Sequence, residues 1–73
     1  MVKSLRAWRT ERLLSTRRLA QLAGASNKTI VQIENARQLP SFATIEKICR
    51  ALEVEPQAIT EFARAINQRA RTR

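Results

Sequence analysis

"LAQLAGASNKTIVQI", Leu19 to Ile33, is the stretch whose reading decides the fold. It opens on apolar residues at helical spacing: Leu19, Ala20, Leu22 and Ala23. Gly24 follows, the only glycine among the 73 residues. Lacking a Cβ, it enters the left-handed region without steric cost and ends a helix there. Ser26 comes two residues later, and its hydroxyl suits the N-cap of a second helix. At 100° per residue that helix puts Ile30 and Ile33 on one side. Lys28, Val31, Gln32 and Asn35 take the other. Ala20 is small where two helix backbones must approach, and Ile30 is an apolar anchor facing the first helix. The spacing is A-x3-G-x5-I, flanked by Leu19 and Ile33.

Working outward, Ser15 caps the helix that Gly24 ends. An earlier helix is predicted over about Val2 to Leu13, with Leu5 and Trp8 inward and Arg9 beside them. Downstream, Pro40 cannot continue a helix and biases Leu39 away from helical angles. Ser41 then caps a fourth helix, in which Phe42, Ile45, Ile48, Cys49 and Leu52 share one face. Pro56 suits the first position of a fifth helix, about 56–68, striped by Ile59, Phe62, Ala63 and Ile66. Alternation at period two is absent. The expectation is all-α: five short helices around one core, a single domain over 1–68, and a basic, disordered tail at 69–73.

A chain this short supports one small core. It has no apolar run able to span a bilayer and no apolar stretch behind the basic N-terminal residues, so neither a membrane segment nor a signal peptide is expected and the cytoplasm is the expected location. Cys49 is the only cysteine and histidine is absent. No internal disulfide, metal site or cofactor is expected, and Cys49 reads as a packed small hydrophobe. Without His, Asp or Tyr there is no catalytic constellation, and an enzyme is not expected.

Net charge is +8. Residues 1–40 hold eight bases against two acids, residues 41–63 two against four, and residues 64–73 four arginines and no acid. A segregated, arginine-rich excess points to a polyanion. It also separates two readings of Leu19–Ile33, an ordinary αα-hairpin and a helix-turn-helix. The start of the second helix carries Asn27 and Lys28 and no acid, although its dipole would favour one. A helix whose tip meets phosphate avoids acids there. Lys28 can donate to guanine, Asn27 or Gln32 can pair with adenine, and Val31 can touch a thymine methyl. As a set this face favours double-stranded DNA.

Residues 5–59 resemble the phage-repressor type of helix-turn-helix domain (Cro-like, XRE-type, lambda-repressor-like). The resemblance rests on Arg9, "LAQLAGAS" at 19–26, "TIVQIEN" at 29–35, "LPSFATIEKICRAL" at 39–52 and "VEPQAI" at 54–59. It implies a transcriptional regulator, a repressor, bound as a homodimer to an inverted repeat. It makes Asn27, Lys28 and Gln32 base readers, with Thr16 and Asn35 on phosphate and Ser26 capping the helix beside the backbone. It also pairs Arg9 with Glu34, a carboxylate disfavoured both by its helix dipole and by nearby DNA. Three positions depart from the pattern: Thr16 replaces glutamine, and Leu13 and Ala36 stand where glycine ends helices one and three. Either Asn35 or Ala36 must then end helix three.

Arg17, Arg18, Thr29 and Arg37 complete the expected phosphate contacts. Arg64, Arg69, Arg71 and Arg73 fit an arm along DNA or a solubilising tail equally well. The stripe Ile59, Phe62, Ala63, Ile66 reads as a dimer face or as the closure of the monomer core. The alternative function is an antitoxin-like protein-interaction module in which DNA binding is secondary.

Overall fold

The computed structural model describes residues 1–71, the side chain of Arg71 excepted. Four helices start in the same way. Ser4, Ser15, Ser26 and Ser41 sit in extended backbone, and each Oγ accepts from the N–H three residues on, that of Ala7, Arg18, Thr29 and Thr44, at 3.0–3.2 Å. Such a cap contributes about 1 kcal/mol. The helices are α1 (Leu5–Glu11), α2 (Thr16–Ala23), α3 (Asn27–Glu34) and α4 (Phe42–Leu52).

The same four helices also end alike, and here the structure departs from glycine chemistry. Leu13, Gly24, Ala36 and Glu53 adopt left-handed backbone, with φ of 58°, 70°, 58° and 59°. The N–H of the next residue then donates to the carbonyl five positions back: Leu14 to Arg9, Ala25 to Ala20, Arg37 to Gln32 and Val54 to Cys49. This is the Schellman arrangement, which satisfies carbonyls the helix end would leave bare. Three of the four left-handed positions carry a side chain. For α3, Ala36 takes the left-handed conformation, and Asn35 stays at φ −94°, ψ 10°.

The helix expected over 56–68 is interrupted. Pro56–Ala58 form a 3-10 turn, Ile59 is extended, and α5 runs from Thr60 to Arg71. The cause lies at the other end of the chain. Lys3 pairs with Ile59 in a parallel bridge: its N–H donates to Ala58 O at 3.0 Å, and Thr60 N–H donates to Lys3 O at 2.8 Å. The same bridge keeps residues 2–4 out of α1. Residues 69–71 continue α5 and are not an irregular tail. Thr72 and Arg73 lie outside the described residues.

The core joins all five helices through Leu5, Leu19, Ala20, Ala23, Ile30, Ile33, Ile45, Ile48, Cys49, Leu52, Ile59, Phe62 and Ala65. Each large apolar side chain fully buried there contributes about 1.5–3 kcal/mol. Two expectations fail. Phe42 is 60% exposed, because it starts α4 at the domain's edge, and Leu22 faces half outward from α2. Ile59 and Phe62 have no exposed surface, so they close the protomer core and cannot form a dimer face; only the half-buried Ala63 and Ile66 keep surface. Burial pushes the Cys49 thiol up to about 11. Among the described residues, no helix is long and apolar enough to cross a membrane.

Candidate nucleic-acid interface

The α2–α3 pair is built from the residues that its spacing singled out. Leu19 and Ala20 of α2 and Ile30 and Ile33 of α3 share the core, and Gly24 turns the chain between the two helices. Ser26 caps α3 and its hydroxyl also bonds Thr29 Oγ1 at 2.8 Å. With Ile30 and Ile33 inward, α3 turns Lys28, Val31 and Asn35 to the surface, and Gln32 is half-buried.

Two helices of eight residues meet through a three-residue turn, with one polar face outward. A family model described as a helix-turn-helix domain matches residues 2–62. The chain belongs to this family. No curated protein and no solved structure matches it. Membership points to a DNA-binding regulator, with α2 and α3 as the motif.

The candidate residues of this helix-turn-helix domain do not all stand alike. Asn27 is half-buried, and its Oδ1 is fully buried with no hydrogen-bond partner in the protein. It lines a crevice between α2 and α3 with Arg17, Ala20, Gln21 and Ala25. Its acceptor is thus withdrawn from the surface that Lys28 shares with Val31. Thr16 is half-buried at the start of α2, and Arg17 and Arg18 are exposed. Arg18 donates to Gln21 Oε1 at 3.2 Å along α2. Arg37 is exposed two residues past the α3 cap.

The absence of an acid in the first turn of α3 extends to α1, α2 and α4, so it does not single out α3. Glu61 is the first-turn acid of α5, and its Oε1 accepts from Leu5 N–H at 2.8 Å. It thereby satisfies a bare N–H at the start of α1.

Glu34 is the one carboxylate of α3, and Arg9 of α1 neutralises it. Nε donates to Oε2 at 2.6 Å and Nη2 to Oε1 at 3.1 Å. Arg9 Nη1 also donates to Leu14 O at 2.7 Å, at the left-handed end of α1. The two side chains are 12% and 7% exposed. The planar fork matches the carboxylate at two points, which ties α1 to α3 and sets α3 at one angle.

Trp8 serves the scaffold. Its Nε1 donates to Ala58 O at 2.7 Å, with Lys3 Nζ 4.4 Å and the Arg12 guanidinium 5.0 Å from the ring centre. Lys3 also pairs with Glu11, and that bond and charge hold the Glu11 carboxyl below its usual range.

Two surface features were not legible from spacing. Arg64 and Gln68 of α5 line a cleft with Arg37, Gln38 and Leu39 of the α3–α4 loop. On the other flank of α5, Phe42, Ile45, Cys49, Val54, Pro56 and Ile66 line an open groove of about 940 Å³. Glu46, Arg50, Glu53 and Glu55 also line it. Among the described residues, no group of three or more His, Cys, Asp or Glu side chains is placed to hold a metal ion.

Proposed function

We propose that this domain is a sequence-specific regulator of transcription, a repressor that binds an inverted-repeat operator in double-stranded DNA as a homodimer in the cytoplasm. One observation carries the reading. The outer face of α3 offers Lys28, Val31, Gln32 and Asn35, Arg17, Arg18 and Arg37 flank it, and its only carboxylate is bound by Arg9. An anionic duplex meets donors and no free acid there.

In this reading Lys28, Val31 and Gln32 read base edges in the major groove, with Asn27 at the tip contributing through its amide N–H2. Thr16, Arg17, Arg18, Ser26, Thr29, Asn35 and Arg37 meet phosphate or position those that do. Phosphate contacts supply most of the affinity and α3 supplies the sequence preference. Repression follows from occlusion of polymerase. Half-sites lie about one helical turn, roughly 34 Å, apart.

The dimer is proposed to form over the groove beside α5. Its apolar lining includes Ile66 and Val54, and its rim carries Glu46, Glu53 and Glu55. The basic end of a second copy's α5 has the complementary charge. The same groove supports the other reading, a partner protein of a different sequence. Sedimentation of the domain and of Ile66→Glu separates them. A dimer lost in the variant supports the homodimer, and a wild-type monomer on operator DNA refutes it.

Selection from a random duplex pool at two salt concentrations tests the DNA reading. An enriched palindrome is expected. Lys28→Ala changes the enriched sequence, whereas Arg17→Ala weakens all sequences alike. Uniformly weak binding that vanishes at moderate salt overturns the proposal.

A further inference from the structure

A second cationic feature lies outside the helix-turn-helix. The loop between α3 and α4 runs against α5, and Arg69 fastens the two. Its Nη2 donates to Pro40 O at 2.8 Å, and its guanidinium lies 5.3 Å from the centre of the Phe42 ring. Pro40 is itself buried. This docking leaves a cleft of about 270 Å³ one turn back along α5. Arg37 and Gln38 stand on the loop side, and Arg64 and Gln68 on the α5 side. All four are exposed. Glu61 is the only carboxylate of the lining, and its Oε1 is engaged by the Leu5 N–H. Asn67 shares the adjoining hollow with Arg64, Gln68 and Ala70, so the outward row of α5 continues with N–H donors and no acid.

We propose that this cleft binds a backbone phosphate of DNA, held between Arg37 and Arg64, so that α5 extends the interface beyond the helix-turn-helix. The inference rests on the DNA reading above. The reasoning is one of continuity. The outer face of α3 runs from Lys28 to Asn35 and ends at Arg37, and a strand followed past that end next meets Arg64. Two planar guanidinium forks on separate elements suit the oxygens of one phosphate. The Arg69–Pro40 bond ties the loop that carries Arg37 to the helix that carries Arg64, so the two elements need not be brought together in the binding step.

The test is the salt dependence of binding to duplex DNA, measured on the full chain for wild type, Arg64→Gln, Arg64→Lys and Arg6→Gln. Arg6 is an exposed residue of α1 that lines neither this cleft nor the groove proposed for the dimer. Losing one phosphate contact lowers the slope of log K against log salt by about 0.9, a three- to fourfold change across a fourfold range of salt. Arg64→Gln is expected to show that loss equally on specific and random DNA. Arg64→Lys restores the slope, and Arg6→Gln leaves it unchanged. An Arg64→Gln variant with wild-type melting temperature and wild-type slope overturns the cleft. If in that case Lys28→Ala still changes sequence preference, the DNA reading stands and the cleft alone falls. If wild type binds no duplex, both fall. Titration with inorganic phosphate separates a free-anion site: shifts of the Arg37 and Arg64 side-chain resonances without any change of DNA slope in Arg64→Gln also overturn the proposal.

Discussion

Replacing the side-chain-bearing residues that end three helices by glycine should stabilise this domain. Leu13, Ala36 and Glu53 hold φ between 58° and 59°. Left-handed backbone costs an L residue about 1–2 kcal/mol. Glycine removes that strain and returns about 0.5–1 kcal/mol as extra freedom of the unfolded chain. The net gain is about 0.5–1 kcal/mol per site. No packing is lost in exchange, because all three are exposed and Leu13 is 93% so. The sites end different helices, so their effects should add to about 1.5–3 kcal/mol. The whole stability of a domain this size is about 4–11 kcal/mol, so the triple variant gains a large fraction of it. Urea denaturation followed by far-ultraviolet circular dichroism measures the change. A domain of this length should melt about 4–8 °C higher for each kcal/mol gained. Gly24→Ala is the inverse control. Gly24 has φ 70° and nothing within 4 Å of an added Cβ, so only backbone strain is introduced and stability should fall by about 1 kcal/mol. An unchanged or lower urea midpoint for Ala36→Gly, the simplest of the three, refutes the reasoning.

Arg9→Met leaves Glu34 buried without its cation and should cost about 3–5 kcal/mol, whereas Arg9→Met with Glu34→Leu should recover most of it; chemical denaturation of the three proteins checks this, and equal losses in the single and double variants refute it. Asn27→Ala removes a buried, unpartnered carbonyl, so it should leave stability unchanged or raised and shift base preference less than Lys28→Ala; thermal melts and a binding selection on both variants decide. The Cys49 thiol, raised from an ordinary 9.0 to about 11, should react with iodoacetamide at pH 8 about 100-fold more slowly than in denaturant. The folded state keeps that proton longer than the unfolded chain does, so stability contributed by Cys49 is present below pH 9 and is lost between about 9 and 11. Cys49→Ala should flatten that part of a stability–pH curve.

What could be read from the sequence was what is decided locally. Ser15, Ser26, Ser41 and Gly24 mark boundaries through bonds to residues at most five positions away, and the helical spacing of Ile30, Ile33, Ile45, Ile48 and Leu52 names their buried faces. The Arg9–Glu34 pair was legible through the family resemblance, and its physical sense is that a carboxylate near the C-terminal end of a helix is disfavoured by the dipole and needs a cation. Long-range determinants were not. The break at Ile59 depends on Lys3, 56 residues earlier in the chain, and so does the late start of α1. The stripe Ile59–Phe62 looked as suited to a partner as to the core, since spacing gives a face but not what covers it. Leu13 and Ala36 show in the sequence only as departures from glycine, which leaves the end of α3 open between Asn35 and Ala36, and Glu53 gives no signal; a left-handed helix end signals itself through glycine, and here the chain accepts strain instead. The outward face of α3 was visible, but the retreat of the Asn27 carbonyl towards α2 depends on a rotamer that periodicity does not encode.

The bond from Trp8 to Ala58 makes the single indole a gauge of one event. Its N–H is engaged by the turn before α5 and its ring is approached by cations from both sides of α1. Its emission therefore reports the fastening of the first helix to the last, and a fluorescence signal that follows unfolding should precede or lag any signal placed on α3 if those ends release separately. The N-terminal clip at Lys3 sets a matching limit for handling the protein. A tag joined at Met1 sits two residues from the bridge, whereas one joined after Arg73 leaves the bridge untouched, so the choice of fusion end is a choice of how firmly the domain is closed.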